Sequence, residues 1–399
     1  MRILMITNTL PYPPVSGTSV RSYNLLRRIA AHHEVWLASR RHTRDARKDI
    51  AHLENFCARV ATGFVPHRNP INHLPGLARY ALRQWPLELK FYHSSELVQH
   101  LHDFTAETVF DIVQIEEGCM ALYLEHLRAQ SHHKRILTFY DIDFVRAGRM
   151  ASLHVTPLQA WRMQLHQRMM RRWEPRYAGR FDRCLTVSEI DRNWLLGANP
   201  RLAVTVIPNG TDTRLNQPLP TGEEIPAAIF VGSMHYAPCV DAATYLCTEI
   251  LPEIRRHIPS VEIWLVGANP GPQIQRLAGA GVHVTGRVED VRPYYARSAV
   301  SVVPIRAGGG TRLKILEAMA LGRPIVTTSV GCEGLDVTHR EHLLIANTTE
   351  DFAASVVQLM RDGALYRRIA TQARQRVVDR YDWDHIASEQ MRVYDELML

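Results

Sequence analysis

The sequence predicts an α/β protein built from two doubly wound parallel-sheet domains. Three observations lead there. Short β-branched or apolar runs alternate with amphipathic helical runs along most of the chain, as in successive βα units. At 399 residues the chain is too long for one ordinary core. The alternation also breaks once, at a proline-containing stretch, and then restarts.

In the first half, "RILMIT" (2–7) reads as a buried strand and "NTLPYPPVSGTSV" as the loop after it. "RSYNLLRRIAAH" (21–32) places Tyr23, Leu26, Ile29 and Ala30 at helical spacing, and "EVWLAS" (34–39) is the next strand. Further strands are read at 111–116, 134–140 and 183–188. A long helix is read over 156–177 from its Thr-Pro start, and a shorter one over 189–197 that ends in Gly197. Residues 41–110 hold His- and Arg-rich helical pieces, to which no role is assigned. The half closes with "AVTVIPNG" (203–210).

The division expected is a first domain at 1–208, a linker at 209–226, a second domain at 227–380, and a C-terminal segment at 381–399. The linker reading rests on prolines, a glycine and few large apolar residues in "TDTRLNQPLPTGEEIPA". In the second domain strands are read at 227–232, 261–267, 282–286 and 299–305. Helices are read from Asp241 to His257, over "PQIQRLAGA" and "VRPYYARS", and near 350–361, 364–380 and 383–398.

Apolar residues make up 46% of the chain and charged residues 22%, which suits a chain folded throughout. No window approaches the ~18 apolar residues of a membrane span. The N-terminus has no signal-peptide cleavage site, so a cytoplasmic location is expected. Six scattered cysteines without a CxxC pair suggest buried thiols, not zinc or a disulfide framework. The net charge of +7 admits nucleic acid, an anionic membrane or a phosphorylated substrate. With no RNA-binding signature or basic tail, nucleic acid is the weakest of these.

The most informative stretch is "GGGTRLKILEAMALGRPIV" (308–326). It follows a strand, and ligands of open parallel sheets bind beyond the carboxyl ends of the strands. Glycines let backbone N–H groups approach a ligand, and a helix starting near Thr311–Arg312 adds free amides and a positive dipole end. Arg312 and Lys314 add full charges, making a phosphate cradle. Neither GxxxxGK[ST] nor GxGxxG is present. Glu317 near a phosphate site makes sense as an acceptor for ribose hydroxyls. A plain tight turn with a solvated glutamate is the alternative.

The combination resembles the donor-site motif of retaining glycosyltransferases of family four, of the GT-B fold. The matching residues are "GTRLKILEAMALGRPIVTT" after "YYARSAVSVVPI" and before "VGCEGL". "PYPPVSGTSVRSYNLLRRIAAHHEV", "RCLTVSEIDRNWL", "VTVIPNGTD", "FVGSMHYAPCVDA", "VEIWLVGANP", "VTGRVEDVRPYY" and "YDWDHIASEQM" follow in the family's order. The resemblance implies two Rossmann-like domains facing a cleft, with acceptor in the first and nucleotide-sugar donor in the second. It implies that the C-terminal helix crosses back to the first domain.

By the same match, Glu317 binds the donor ribose, and Lys314 with Arg312 the diphosphate. Gly309, Gly310 and Thr311 offer amides to phosphate and sugar. Val288 lies beside the base, and Gly17 brings the N-terminal loop to the diphosphate. Gly232 and Leu313 complete the donor set. The implied reaction is sugar transfer with retention from a UDP- or GDP-linked donor to a glycan or lipid-linked glycan, in exopolysaccharide or other cell-surface polysaccharide synthesis. No metal is expected. The alternatives are an inactive nucleotide-sugar-binding subunit and a nucleotide-sugar epimerase or phosphorylase.

The sequence departs from the family in places. Gly309 stands where the first of two glutamates is usual, which leaves the donor sugar open. Tyr140 stands where a histidine is common, either as a donor to the sugar or its phosphate or as a core aromatic. "VGSMHYAP" lacks the usual Arg and Lys, and His235 is the nearest polar group there. Asp141 and Asp143 mimic a metal-binding DxD and are read as loop or acceptor-side residues. The arginines of helix 156–177 admit peripheral contact with an anionic membrane at its inner face, whereas its two apolar stripes suit packing.

Overall fold

In the computed structural model the first sheet holds seven strands: β1 (Arg2–Thr7), β2 (Glu34–Arg41), β3 (Arg59–Phe64), β4 (Ile112–Glu116), β5 (Lys134–Phe139), β6 (Arg183–Thr186) and β7 (Val204–Val206). All pairings are parallel, in the order β3-β2-β1-β4-β5-β6-β7. The structure describes residues 1–43, 45–65, 85–127, 133–151, 156–220 and 226–399.

The helices of this unit are α1 (Gly17–Ala30), α2 (Arg47–Glu54), α3 (Ser95–Glu107), α4 (Asp143–Ala151), α5 (Pro157–Ala178) and α6 (Glu189–Ala198). Ile3, Leu4, Met5 and Ile6 of β1 are all buried, because a parallel sheet covered on both faces needs apolar groups on both. Each such side chain stabilises the fold by about 1.5–3 kcal/mol. α5 begins where expected: Pro157 stands in its first turn and the Thr156 hydroxyl accepts from the Gln159 amide. In the segment that resisted reading, α2, the edge strand β3 and α3 emerge; the rest, 66–84, lies outside the described residues.

The second sheet is β8 (Ala227–Val231), β9 (Glu262–Val266), β10 (Val282–Val284), β11 (Val300–Val303), β12 (Ile325–Thr327) and β13 (Leu344–Ile345), all parallel, in the order β10-β9-β8-β11-β12-β13. Its helices are α7 (Ala237–Tyr245), joined by a π turn to α8 (Leu251–Arg255), then α9 (Pro272–Gln275), α10 (Arg292–Ala296), α11 (Leu313–Ala320), α12 (Thr349–Arg361), α13 (Gly363–Arg380) and α14 (Trp383–Met398). The reading lacked β12 and β13, and it differs in three further places. The helix expected from Asp241 starts at Ala237, with Pro238 in its first turn. The "PQIQRLAGA" helix stops at Gln275, because Gly279, Ala280 and Gly281 turn the chain with positive φ. The helix expected from Thr311–Arg312 starts at Leu313.

The chain divides into two compact units, Met1–Pro208 with Ile386–Leu399, and Asn209–His385. The stretch read as a linker is pinned to the second unit as far as Pro220. Arg374 donates to the carbonyls of Thr213 and Asn216, Leu219 N–H to Leu321, and Arg323 to Pro220. Residues 221–225 lie outside the described residues. The C-terminal turns of α14 belong to the first unit, where Gln390 and Tyr394 both donate to the Gln114 side chain of β4.

Candidate functional site

In the second sheet the strand order reverses between β8 and β11, and the glycine loop follows β11 at that switch point. Gly308 and Gly310 take φ of 121° and 70°, a region costly for other residues, so this turn requires glycine. Among the described residues the amides of Gly309, Gly310 and Thr311 donate to no acceptor. α11 then starts at Leu313 without a side-chain cap. Bare amides and the dipole end of α11 therefore lie in succession.

Lys314 leaves the first turn of α11 and runs to the end of β8. Its Nζ lies 3.7 Å from Cys239 Sγ and 4.4 Å from the centroid of the Phe230 ring. A Cβ on Gly232 would stand 2.9 Å from Nζ, so Gly232 is the space that admits the ammonium. Burial pulls the Lys314 pKa down, partly offset by Cys239. Glu317, one turn on, is pushed up to about 7 by burial, with the Lys314 charge opposing the shift. Both side chains remain partly exposed, so each is desolvated yet reachable.

Arg312 turns toward the loop backbone. Its guanidinium bonds the carbonyls of Gly309 and Gly310, and so braces the loop from within. Thr311 is held by Asn209, whose Nδ2 donates to Oγ1 at 2.6 Å. Leu313 and Val288 are partly buried against the second unit's core. His235 is exposed. The nearby Arg306 is committed to Asp241 in a two-point pair of 3.1 and 2.7 Å, over the Tyr245 ring.

One residue the reading missed is Gly267. A Cβ there would lie 1.7 Å from the Gly232 carbonyl oxygen. Gly232 N–H donates to Val266 O, and Gly267 N–H to Gly286 O, so β8, β9 and β10 each run into a glycine beside the next. The signal was in the sequence as Val231-Gly232, Val266-Gly267 and Thr285-Gly286.

Gly17 and Tyr140 belong to the first unit. Gly17 opens α1, behind a Ser16–Ser19 capping box. The Tyr140 hydroxyl is 2.8 Å from Ser22 Oγ, and its phenol pKa is raised by burial, with Glu116 and Glu117 adding to it. Glu117 was also missed. It follows β4 at the first sheet's own switch point, with φ 71°. Its Oε2 accepts from Asn8 Nδ2 at 3.0 Å, while Oε1 is buried without a partner among the described residues. Burial raises its carboxyl to about 7. Strain of this kind gathers at ligand sites. The Asp141 and Asp143 carboxylates are both engaged by Arg146, and Asp143 also by His166 at 2.8 Å.

Residues 15–215, half of the chain, match the Glycosyltransferase Family 4 domain. The chain belongs to glycosyltransferase family 4. Residues 225–362 match a second domain, Glycosyl transferases group 1. This family 4 protein is 27% identical over 270 residues to phosphatidyl-myo-inositol mannosyltransferase of Mycobacterium leprae, covering 65% of this chain and 70% of that one. It is 26% identical to the Mycolicibacterium smegmatis enzyme of the same name, covering 62% and 64%. Among solved structures it resembles sucrose-phosphate synthase of Thermosynechococcus elongatus, with a TM-score of 0.73, 18% identity, and 100% and 99% of the two chains covered. It also resembles Anabaena HepE in complex with UDP-glucose, with a TM-score of 0.68, 17% identity, and 99% and 100% covered. The two parallel-sheet domains are thus Rossmann-like units of the GT-B fold. Among the described residues no helix is long and apolar enough to cross a membrane.

Proposed function

We propose that this glycosyltransferase moves a sugar, with retention, from a UDP- or GDP-linked donor to a glycan or lipid-linked glycan during cell-surface polysaccharide assembly. One observation carries the reading: acceptor-free amides of Gly309, Gly310 and Thr311 adjoin the uncapped start of α11, with Lys314 on its first turn and Glu317 on the next. Breaking the bond between sugar and nucleotide leaves charge on a diphosphate. Fixed amide donors and a desolvated ammonium stabilise that charge as it develops. The leaving phosphate takes the acceptor proton, so no protein nucleophile is needed. Lys314 and the helix end supply the positive charge that a divalent cation would otherwise bring.

Glu317 accepts from the two ribose hydroxyls. Gly232, Gly267 and Val288 form the floor under the nucleoside, and Arg312 keeps the loop in its binding shape. Glu117 and Tyr140 in the first unit are assigned to sugar hydroxyls. Support comes from the mannosyltransferase named for the Mycobacterium leprae relative and from the UDP-glucose in the HepE complex.

The test is transfer and donor hydrolysis across UDP- and GDP-sugars, with and without EDTA. Lys314→Ala is expected to lower kcat/KM by about 10²–10³, and EDTA to change nothing. Unchanged turnover in Lys314→Ala would remove the assignment, and nucleotide binding without turnover of any donor would favour the inactive subunit.

A further inference from the structure

The two apolar stripes of α5 have different fates. Met170, Trp173, Tyr177 and Ala178 enter the first unit's core, with Glu174 buried beside them. The other stripe is left outside: Leu158 is 67% exposed, Trp161 58% and Leu165 40%. The spacing 158, 161, 165, 168, 172, 176 follows one helical face, so Leu158, Trp161 and Leu165 continue directly into Arg168, Arg172 and Arg176. Arg162 lies beside that line and Arg171 further round, and all five arginines are exposed. Among the described residues none of the five is in an ion pair. The one acidic residue of α5, Glu174, points inward, with its carboxylate on the Asp143 and Phe144 amides. Exposure is concentrated here: of thirteen large hydrophobics exposed among the described residues, three lie on α5 and two more, Ile190 and Trp194, on α6.

We propose that this face of α5 docks on an anionic lipid bilayer. A surface that only repelled aggregation would carry the arginines without the leucines. A nucleic-acid surface would gain nothing from Leu158 and Leu165. A tryptophan and two leucines followed by unpaired arginines match the boundary between acyl chains and phosphate headgroups. The helix lies along the surface, with Trp161 and its neighbours below the headgroups and the arginines among the lipid phosphates. The inference stands whether or not the donor assignment holds.

The test uses the purified full chain with phosphatidylcholine vesicles, with and without phosphatidylglycerol. Co-sedimentation with the anionic vesicles only, weakened by salt, is expected. Brominated lipid should quench a tryptophan signal that Trp161→Phe removes. Arg168→Gln with Arg172→Gln should weaken binding about thirtyfold, each cation contributing roughly fivefold at such a surface. Trp161→Ala with Leu165→Ala should weaken it at least about tenfold. All four positions are exposed, so the thermal melts should be unchanged. Three results would overturn the proposal: no binding to anionic vesicles, equal binding by the variants, or a wild-type dimer that Trp161→Ala converts to monomer, which would make the face a contact between copies.

Discussion

Glu317 shows how one side chain couples the site to pH. Its carboxyl sits near 7 because burial disfavours the charge, and the ribose role needs the charged form. Nucleoside diphosphate binding should therefore strengthen as pH rises toward 7 and weaken about tenfold per unit below it. Glu317→Gln should flatten that profile, as calorimetry at several pH values would show. Gly232 makes a second prediction, because its missing Cβ is the space Lys314 Nζ occupies. Gly232→Ala displaces the end of a flexible side chain, so the fold should survive while donor affinity falls about tenfold or more. The charged members of this site could be read in the sequence, since a lysine and a glutamate three apart on a helix share a face. Gly267 was legible only as a glycine closing a strand, like Gly232 and Gly286, and not in its close approach to a neighbouring strand's carbonyl; Glu117 was not legible, because a strained φ singles it out.

At the level of elements, strands buried on both faces were legible because continuous apolar runs admit few other readings. Short helices were legible in place but not in length: α10 lies within the expected "VRPYYARS", whereas α9 stops at Gln275, cut off by the glycine turn that follows. β3 was hidden because an edge strand such as "RVATGF" tolerates Gly and Arg. α4 and α5 are joined by Glu174, which is 1% exposed and accepts from the amides of Asp143 and Phe144. Burial raises its carboxyl to about 8. The native state thus holds a proton that the unfolded chain releases above its ordinary value near 4.5. This contribution to stability is complete below that value and is lost as pH rises through about 8. Melting temperature should fall across that window, and Glu174→Gln should reduce the slope in a fluorimetric pH series.

For the whole molecule, the repeat of one sheet order, reversed about β1 and β4 and again about β8 and β11, is what the restart of the sequence pattern announced. Prolines mark both loose and tightly held segments, and as far as Pro220 the proline-containing stretch is of the second kind, because Arg323 and Arg374 hold its backbone carbonyls. Ile386, Ala387, Gln390, Val393 and Tyr394 are buried in the first unit. Removing residues 386–399 should melt that unit at lower temperature while nucleotide binding by the second persists, as scanning calorimetry beside titration would show. The same arrangement governs synthesis. The unit translated first lacks its last helical turns until the chain between has emerged from the ribosome. Asn209–His385, continuous in sequence, can be completed sooner. The half that begins translation is therefore the half that finishes folding last, and a chaperone meeting the nascent chain would find the open seat of Tyr394 on β4.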